Sequence, residues 1–397
     1  MTKKVFSENV IHGFGTLAVA SALVEIDGDL IADVRPLSRA DFERSKYQNP
    51  ALDLGERILA PGWTNAHTHL SMSAFRGLGL SAMMGNVVED LYFRLEAHLQ
   101  PGDVRAFARL GAYECLLTGT TAVWDHYYNA HEVAAGMADV GLCGVVSPTL
   151  QDLTGPGVGQ LDDQWEATFR LHEDNGLSQR GIFSALGPHA TDTVSDELMI
   201  RTAQAAERFE LPIHLHVAQS IEEFQRSQEI HGCSPIDRLQ RLGLLDSAPA
   251  TLLVHGLYVS QRDLSLLDPH RHCLGYCPSS QIQFGFPAAV HQWQRSGIPV
   301  ALGTDCGASN DGMNVQQEVR LLANGRQFAV SHSEVARSFA EGGRVGDARA
   351  LEAMRQNYAQ GSATTHFHEG LLASLWSNSG ALSSRLAGGG IAPRRRA

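Results

Sequence analysis

The segment Pro61-Gly62-Trp63-Thr64-Asn65-Ala66-His67-Thr68-His69 ends in two histidines separated by one residue. On an extended strand, residues two apart point to the same side, so both imidazoles can reach one metal ion. Alone, such a pair carries little weight in a chain with 18 histidines. Three further runs change that. His214 and His216 close the apolar run 211–217, His255 closes 251–255, and Asp305 closes 299–305. Metal-type ligands at the ends of four separate strand candidates point to one site assembled from distant parts of the chain.

The elements that must position these residues follow from the hydrophobic pattern. Strands are expected at 61–67, 120–126, 143–150, 181–189, 211–217, 251–256, 272–277 and 299–305. Amphipathic helices fall between them, for example Val104 to Leu117, Ser195 to Phe209 and Gly285 to Ser296. Eight strands alternating with helices predict an α/β fold, a (β/α)8 TIM-type barrel whose C-terminal strand ends line the site. A doubly wound open sheet is the alternative, but no Gly-rich dinucleotide loop follows the first strand. Residues 1–60 read as a small β domain. In it, 22–26 and 27–34 form a hairpin around a glycine turn, and 54–60 forms another strand. The barrel is expected over 61–365, with helices at 312–327 and 347–360, and a C-terminal tail over 366–397.

Composition narrows the function classes. The chain has 397 residues, 43% hydrophobic and 19% charged, ordinary for a soluble enzyme with a sizeable core. A net charge of −12 argues against nucleic acid or an anionic membrane as partner. The one dense basic cluster, Arg394-Arg395-Arg396, reads as a frayed tail. No signal-peptide core follows Met1 to Ser7, and no apolar run is long enough to span a membrane. Six cysteines are scattered without a CxxC pair, so reduced thiols in a cytoplasm are expected. Cys277 and Cys306 fall near the site and read as packing residues.

Taken in order, the motifs resemble the amidohydrolase superfamily, in its cytosine-deaminase-like and chlorohydrolase-like branch. They are Leu59-Ala60-Pro61-Gly62 leading into His67-Thr68-His69, Arg76-Gly77, Thr118-Gly119-Thr120-Thr121, Gly187-Pro188-His189, His214-Leu215-His216, Val254-His255-Gly256, Gly303-Thr304-Asp305 and Ala308-Ser309-Asn310. The resemblance implies one divalent metal per chain, zinc or else iron, held by His67, His69, His216 and Asp305. No lysine lies near strand four, which favours one metal over two. Asp305 would serve as general base, and His255 would polarise the substrate and steady the tetrahedral intermediate. His214 would stand behind the ligands. His189, Glu96 and Ser309 match positions that touch substrate or complete a site motif, and strand alternation aims His126 at the mouth. The implied reaction is attack of metal-bound hydroxide on a carbon–nitrogen bond of a small heterocyclic substrate, a deamination. A homodimer is left open, since the branch often dimerises.

The chain departs from that pattern in four places. Deaminases of the branch carry His-x-x-Glu on strand five, where this chain has His216-Val217-Ala218-Gln219. A glutamine can hydrogen-bond a ring nitrogen but cannot deliver a proton at neutral pH. Gln219 therefore keeps an alternative in play: an amide, cyclic-amide or halide hydrolase, or a catalytically silent relative. Where relatives acting on adenosyl compounds use an arginine for the amino-acid carboxylate, this chain has Pro148, which disfavours a carboxylate-bearing substrate. Tyr276-Cys277-Pro278-Ser279-Ser280-Gln281 differs from the relatives' polar residue and Ser-Asn around Cys-Pro. Finally, Gly388 to Ala397 resembles a turn leading into strands that do not follow, so the small β-sandwich is expected to be incomplete.

Overall fold

The computed structural model describes residues 2–322 apart from 13–17, 29, 49, 79–86 and 285–289. Its first element is an antiparallel sheet of β1 (Lys3–His12), β2 (Ala18–Asp27) and β3 (Leu30–Pro36), with β4 (Leu52–Asp53) and β5 (Ile58–Leu59) both parallel to β1. The expected hairpin is β2–β3, and Gly28 takes the left-handed conformation its turn requires (φ 61°). Phe6, Leu23 and Phe42 form a small core under this sheet, the two phenyl rings stacked 4.1 Å apart.

The barrel strands follow: β6 (Trp63–His69), β7 (Thr120–Tyr127), β8 (Cys143–Leu150), β9 (Ile182–Ser184), β10 (Gly187–Pro188), β11 (Ile213–Val217), β12 (Thr251–His255), β13 (His272–Tyr276), β14 (Val300–Leu302) and β15 (Asp305–Cys306). All barrel pairings are parallel. Two expected strands are broken. Strand four divides into β9 and β10, both paired with β8, and reaches β11 through bridges at Leu186–Ile213 and Ala190–His216. Strand eight divides into β14, paired with β13, and β15, paired with β6. The handover occurs at Gly303 and Thr304, whose N–H groups bond Tyr276 O (2.9 Å) and His67 O (3.1 Å). Gly303 is required there, because a Cβ would sit 2.6 Å from His67 O. Asn65 ties the same seam: its Nδ2 donates to Thr304 Oγ1 (2.7 Å) and its Oδ1 accepts from Thr304 N (3.0 Å).

Helix ends follow local chemistry. Pro101 at the first helical position starts the helix Pro101–Leu117 three residues earlier than the apolar pattern alone suggests. Ser195 caps Asp196–Phe209 by accepting from Leu198 N. Of the expected helix 285–296, Val290–Arg295 is described. Residues 315–322 are helical, and the rest of 312–327, the helix expected at 347–360 and the tail lie outside the described residues. Trp124, Leu252, Val254 and Ala301 fill the barrel interior beneath the site, and larger apolar clusters lie between strands and helices. No described helix is long and apolar enough to cross a membrane.

Candidate metal centre and active site

His67 and His69 point inward from the end of β6, His216 from β11, His255 from β12 and Asp305 from the start of β15, so the barrel brings together what the sequence spreads over 239 residues. Three residues at these strand ends, Ala218, His255 and Asp305, have φ between 50° and 77°. Such backbone is strained in non-glycine residues and persists where packing over-determines it, typically at functional sites. The side chains are almost entirely buried: His67 and His255 are inaccessible and Asp305 is 6% exposed.

Hydrogen bonds fix which ring nitrogen faces inward. His69 Nδ1 donates to the His126 carbonyl and His216 Nδ1 to the His189 carbonyl (2.7 Å). His67 Nδ1 meets His214 Nε2 at 2.8 Å, and His214 Nδ1 meets Ser147 Oγ at 3.0 Å. His214 thus backs His67 from behind. With Nδ1 occupied, each ring turns Nε2 inward: His67 Nε2 lies 3.5 Å and His69 Nε2 3.6 Å from Asp305 Oδ1, and His69 and His216 bring their Nε2 atoms within 3.3 Å. Metal–ligand bonds of about 2.0–2.1 Å give a tetrahedron edges of about 3.3–3.4 Å. The three distances that link His67, Asp305, His69 and His216 are close to that spacing.

Electrostatics agree. Burial, with charge at His67 adding to it, pushes the His69 imidazole down to about 4, and burial pushes His216 well below its usual range. Both rings are neutral at pH 7, so two unshared electron pairs face each other. A cation between them relieves that repulsion. Ser280 Oγ donates to the buried Asp305 carboxyl at 2.7 Å, a hydrogen bond that favours its anion.

Of the other expected residues, His126 and His189 pack against the His216 ring, with centroids 5.0 and 4.9 Å from it. His126 Nδ1 meets Thr149 Oγ1 (2.9 Å), and its buried Nε2 has no hydrogen-bond partner among the described residues. His189 Nδ1 meets Thr193 Oγ1 (2.9 Å), with the Phe93 ring 5.6 Å away. Glu96 is half-buried beside the Tyr127 phenol, and burial raises its carboxyl to about 8. Gln219 is tied through its backbone N–H, which donates to Glu223 Oε2 (2.7 Å). Ser309 is buried in the turn after β15, within 3.3 Å of the Cys306 carbonyl.

Several supporting residues were not anticipated. Ser280 Oγ donates to Asp305 Oδ2 (2.7 Å), and Gln281 lies between the Cys277 backbone and His255. Asp125, on the outward face of β7, accepts from Leu70 N (2.6 Å) and so fixes the turn directly after His69. Glu318 accepts from Ser279 N (2.9 Å), Ser279 Oγ (2.6 Å) and Asn310 Nδ2 (2.8 Å), joining the loops after strands seven and eight. Glu223 accepts from Ala218 N as well as Gln219 N. Only Glu223 carries a local signal, the Ser220-x-x-Glu223 pattern of a capped helix start.

Known proteins are similar along most of the chain. A 5'-deoxyadenosine deaminase of Methanothrix thermoacetophila is 28% identical over 308 residues, 77% of this chain and 72% of the relative. A 5-methylthioadenosine/S-adenosylhomocysteine deaminase of Saccharophagus degradans is 34% identical over 313 residues, 78% of this chain and 68% of the relative. The crystal structure of an adenosine deaminase from Xanthomonas campestris with bound zinc superposes with a TM-score of 0.67 at 23% identity, covering 86% of this chain and 74% of that one. The Amidohydrolase family profile matches residues 58–339, a span holding every converging histidine and Asp305, and the chain belongs to that family.

Proposed function

We propose that this chain is a metal-dependent aminohydrolase that releases ammonia from an amino-substituted heterocycle, with zinc held by His67, His69, His216 and Asp305. The observation that carries it is the approach of His67 Nε2 and His69 Nε2 to the buried Asp305 carboxylate, at 3.5 and 3.6 Å, with His216 Nε2 3.3 Å from that of His69. The zinc-bound relative and the nitrogen-rich donor set support that metal. When bound, the ion contributes acidity to a water molecule beside it.

The chain's own residues do the rest. Asp305 takes the water's proton and returns it to the departing amine, with Ser280 holding its other oxygen in place. His255 donates from its inward nitrogen to charge developing on the substrate. Gln219 hydrogen-bonds the ring nitrogen. His126, His189, Phe93 and Glu96 form the wall against which a flat ring lies.

The relatives favour an adenosyl ring, and Pro148 in β8 in place of a carboxylate-binding arginine favours one without an amino-acid tail. 5'-Deoxyadenosine fits both conditions better than S-adenosylhomocysteine. Gln219 supports a second reading, hydrolysis of an amide or of a carbon bearing a good leaving group, which needs no protonated ring. The deciding experiment is ammonia release from adenosyl compounds, pyrimidines, pterins and triazines by protein of measured metal content. Ammonia from a carboxylate-free adenosyl compound is expected. Metal-loaded protein that releases none from the panel would replace this reading with the second.

A further inference from the structure

The two residues assigned to proton handling, His255 and Asp305, are both held by one short segment after β13. Ser280 holds Asp305, while Gln281 spans from the Cys277 backbone to the His255 ring. A backbone N–H can only donate, so the Gln281 atom 3.1 Å from Cys277 N is Oε1. That fixes the amide, and its NH2 group faces His255 Nδ1 at 3.2 Å. An amide NH2 also only donates. His255 Nδ1 is therefore the bare nitrogen, and the neutral ring carries its proton on Nε2.

This is the opposite tautomer to His69 and His216, whose Nδ1 atoms face carbonyl oxygens. The difference matters because donor atoms of His67, His216 and His255 all lie within 4.8 Å of one another. A His255 ring presenting an electron pair would compete as a further metal ligand, whereas one presenting N–H is a donor for substrate. The buried Nε2 atom of His255 has no hydrogen-bond partner among the described residues. Gln281 is 1% exposed, so water does not average its orientation. Turning the amide over would set its NH2 against the Cys277 N–H and forfeit that bond.

We propose that Gln281 is a positioning residue that locks His255 in its Nε2–H tautomer, which makes it a donor to substrate and excludes it from the metal set. The catalytic consequence rests on the role given to His255 above, but the tautomer does not.

NMR of nitrogen-labelled histidine side chains in the metal-loaded protein reads the tautomer directly, with His255 assigned by its loss in His255→Asn. The wild type is expected to show Nε2–H. Gln281→Glu keeps the shape but turns the donor into an acceptor. It is expected to move the proton to Nδ1 and lower kcat about 100-fold, with KM changed less than about threefold. Gln281→Met removes the bond without reversing it and is expected to give mixed tautomers and a smaller loss. An Nδ1–H ring in the wild type overturns the proposal without any variant. So does Gln281→Glu with its proton still on Nε2, or with kcat within about threefold of wild type after the proton has moved. Because the tautomer is read without substrate, failure of the proposed function would appear separately, as Nε2–H protein that hydrolyses nothing.

Discussion

His214 gives the sharpest test of how the metal centre is built. It sits two residues before His216 on β11, fully buried, with Nε2 2.8 Å from His67 Nδ1 and the Trp124 ring 5.4 Å away edge-on. Its inferred work is to accept the His67 Nδ1–H so that His67 Nε2 stays bare. His214→Phe keeps an aromatic ring against Trp124 but strands that buried donor, which costs about 1–3 kcal/mol. Loss of such a backing partner typically weakens metal binding about 10–100-fold, equivalent to about 1.4–2.7 kcal/mol. Competition against a chelator of known affinity measures the metal constant, and urea unfolding of the metal-free form measures the rest. His214→Gln retains an acceptor oxygen and is expected to recover most of the metal affinity. If folded His214→Phe bound zinc within about threefold of wild type, the ring would not be acting through His67. If His214→Gln failed to recover binding, His214 would itself be a ligand.

Three further outcomes are expected. Gly303→Ala forces a Cβ to within 2.6 Å of His67 O and 2.8 Å of His67 N; the strain should cost about 1–3 kcal/mol and displace a ligand, read as a lower urea midpoint with reduced metal content. Metal-free protein should lose stability in acid. His69, held near 4 against its ordinary 6.5, and His255, held near 3, take protons only after the unfolded chain has done so. Their contribution is therefore complete above pH 6.5 and is lost as pH falls toward 4 and 3, by up to about 3 kcal/mol for His69; equal urea midpoints at pH 7 and pH 5 would contradict this. Gln219→Glu should raise ammonia release, since it restores a group able to hand a proton to a ring nitrogen, and an unchanged or lower rate would count against that argument.

Much of the site was legible because strand periodicity and ligand chemistry coincide in the sequence. His67 and His69 share a face by simple alternation, and the apolar runs ending near His216, His255 and Asp305 announce strands that stop at residues of the candidate site. The small hairpin, the alternation of strands and helices, and the inward aim of His126 were readable for the same local reason. The breaks in strands four and eight were not. They arise where one strand must serve two neighbours, and at Gly303 that demand is set by His67, more than 230 positions away in the chain.

What the sequence by itself determined is the set of groups able to bind a metal and the strands that carry them, because residue type and a period of two are local properties. What only the tertiary structure decided is which nitrogen each histidine offers. His69 and His216 turn their electron pairs inward because carbonyls of His126 and His189 take their Nδ1 protons, and His255 turns N–H inward because Gln281 faces its Nδ1. The supports Asp125, Ser280 and Glu318 likewise belong to other strands and loops than the residues they hold. A proton's position depends on the partner across the fold, and no spacing along the chain encodes that partner.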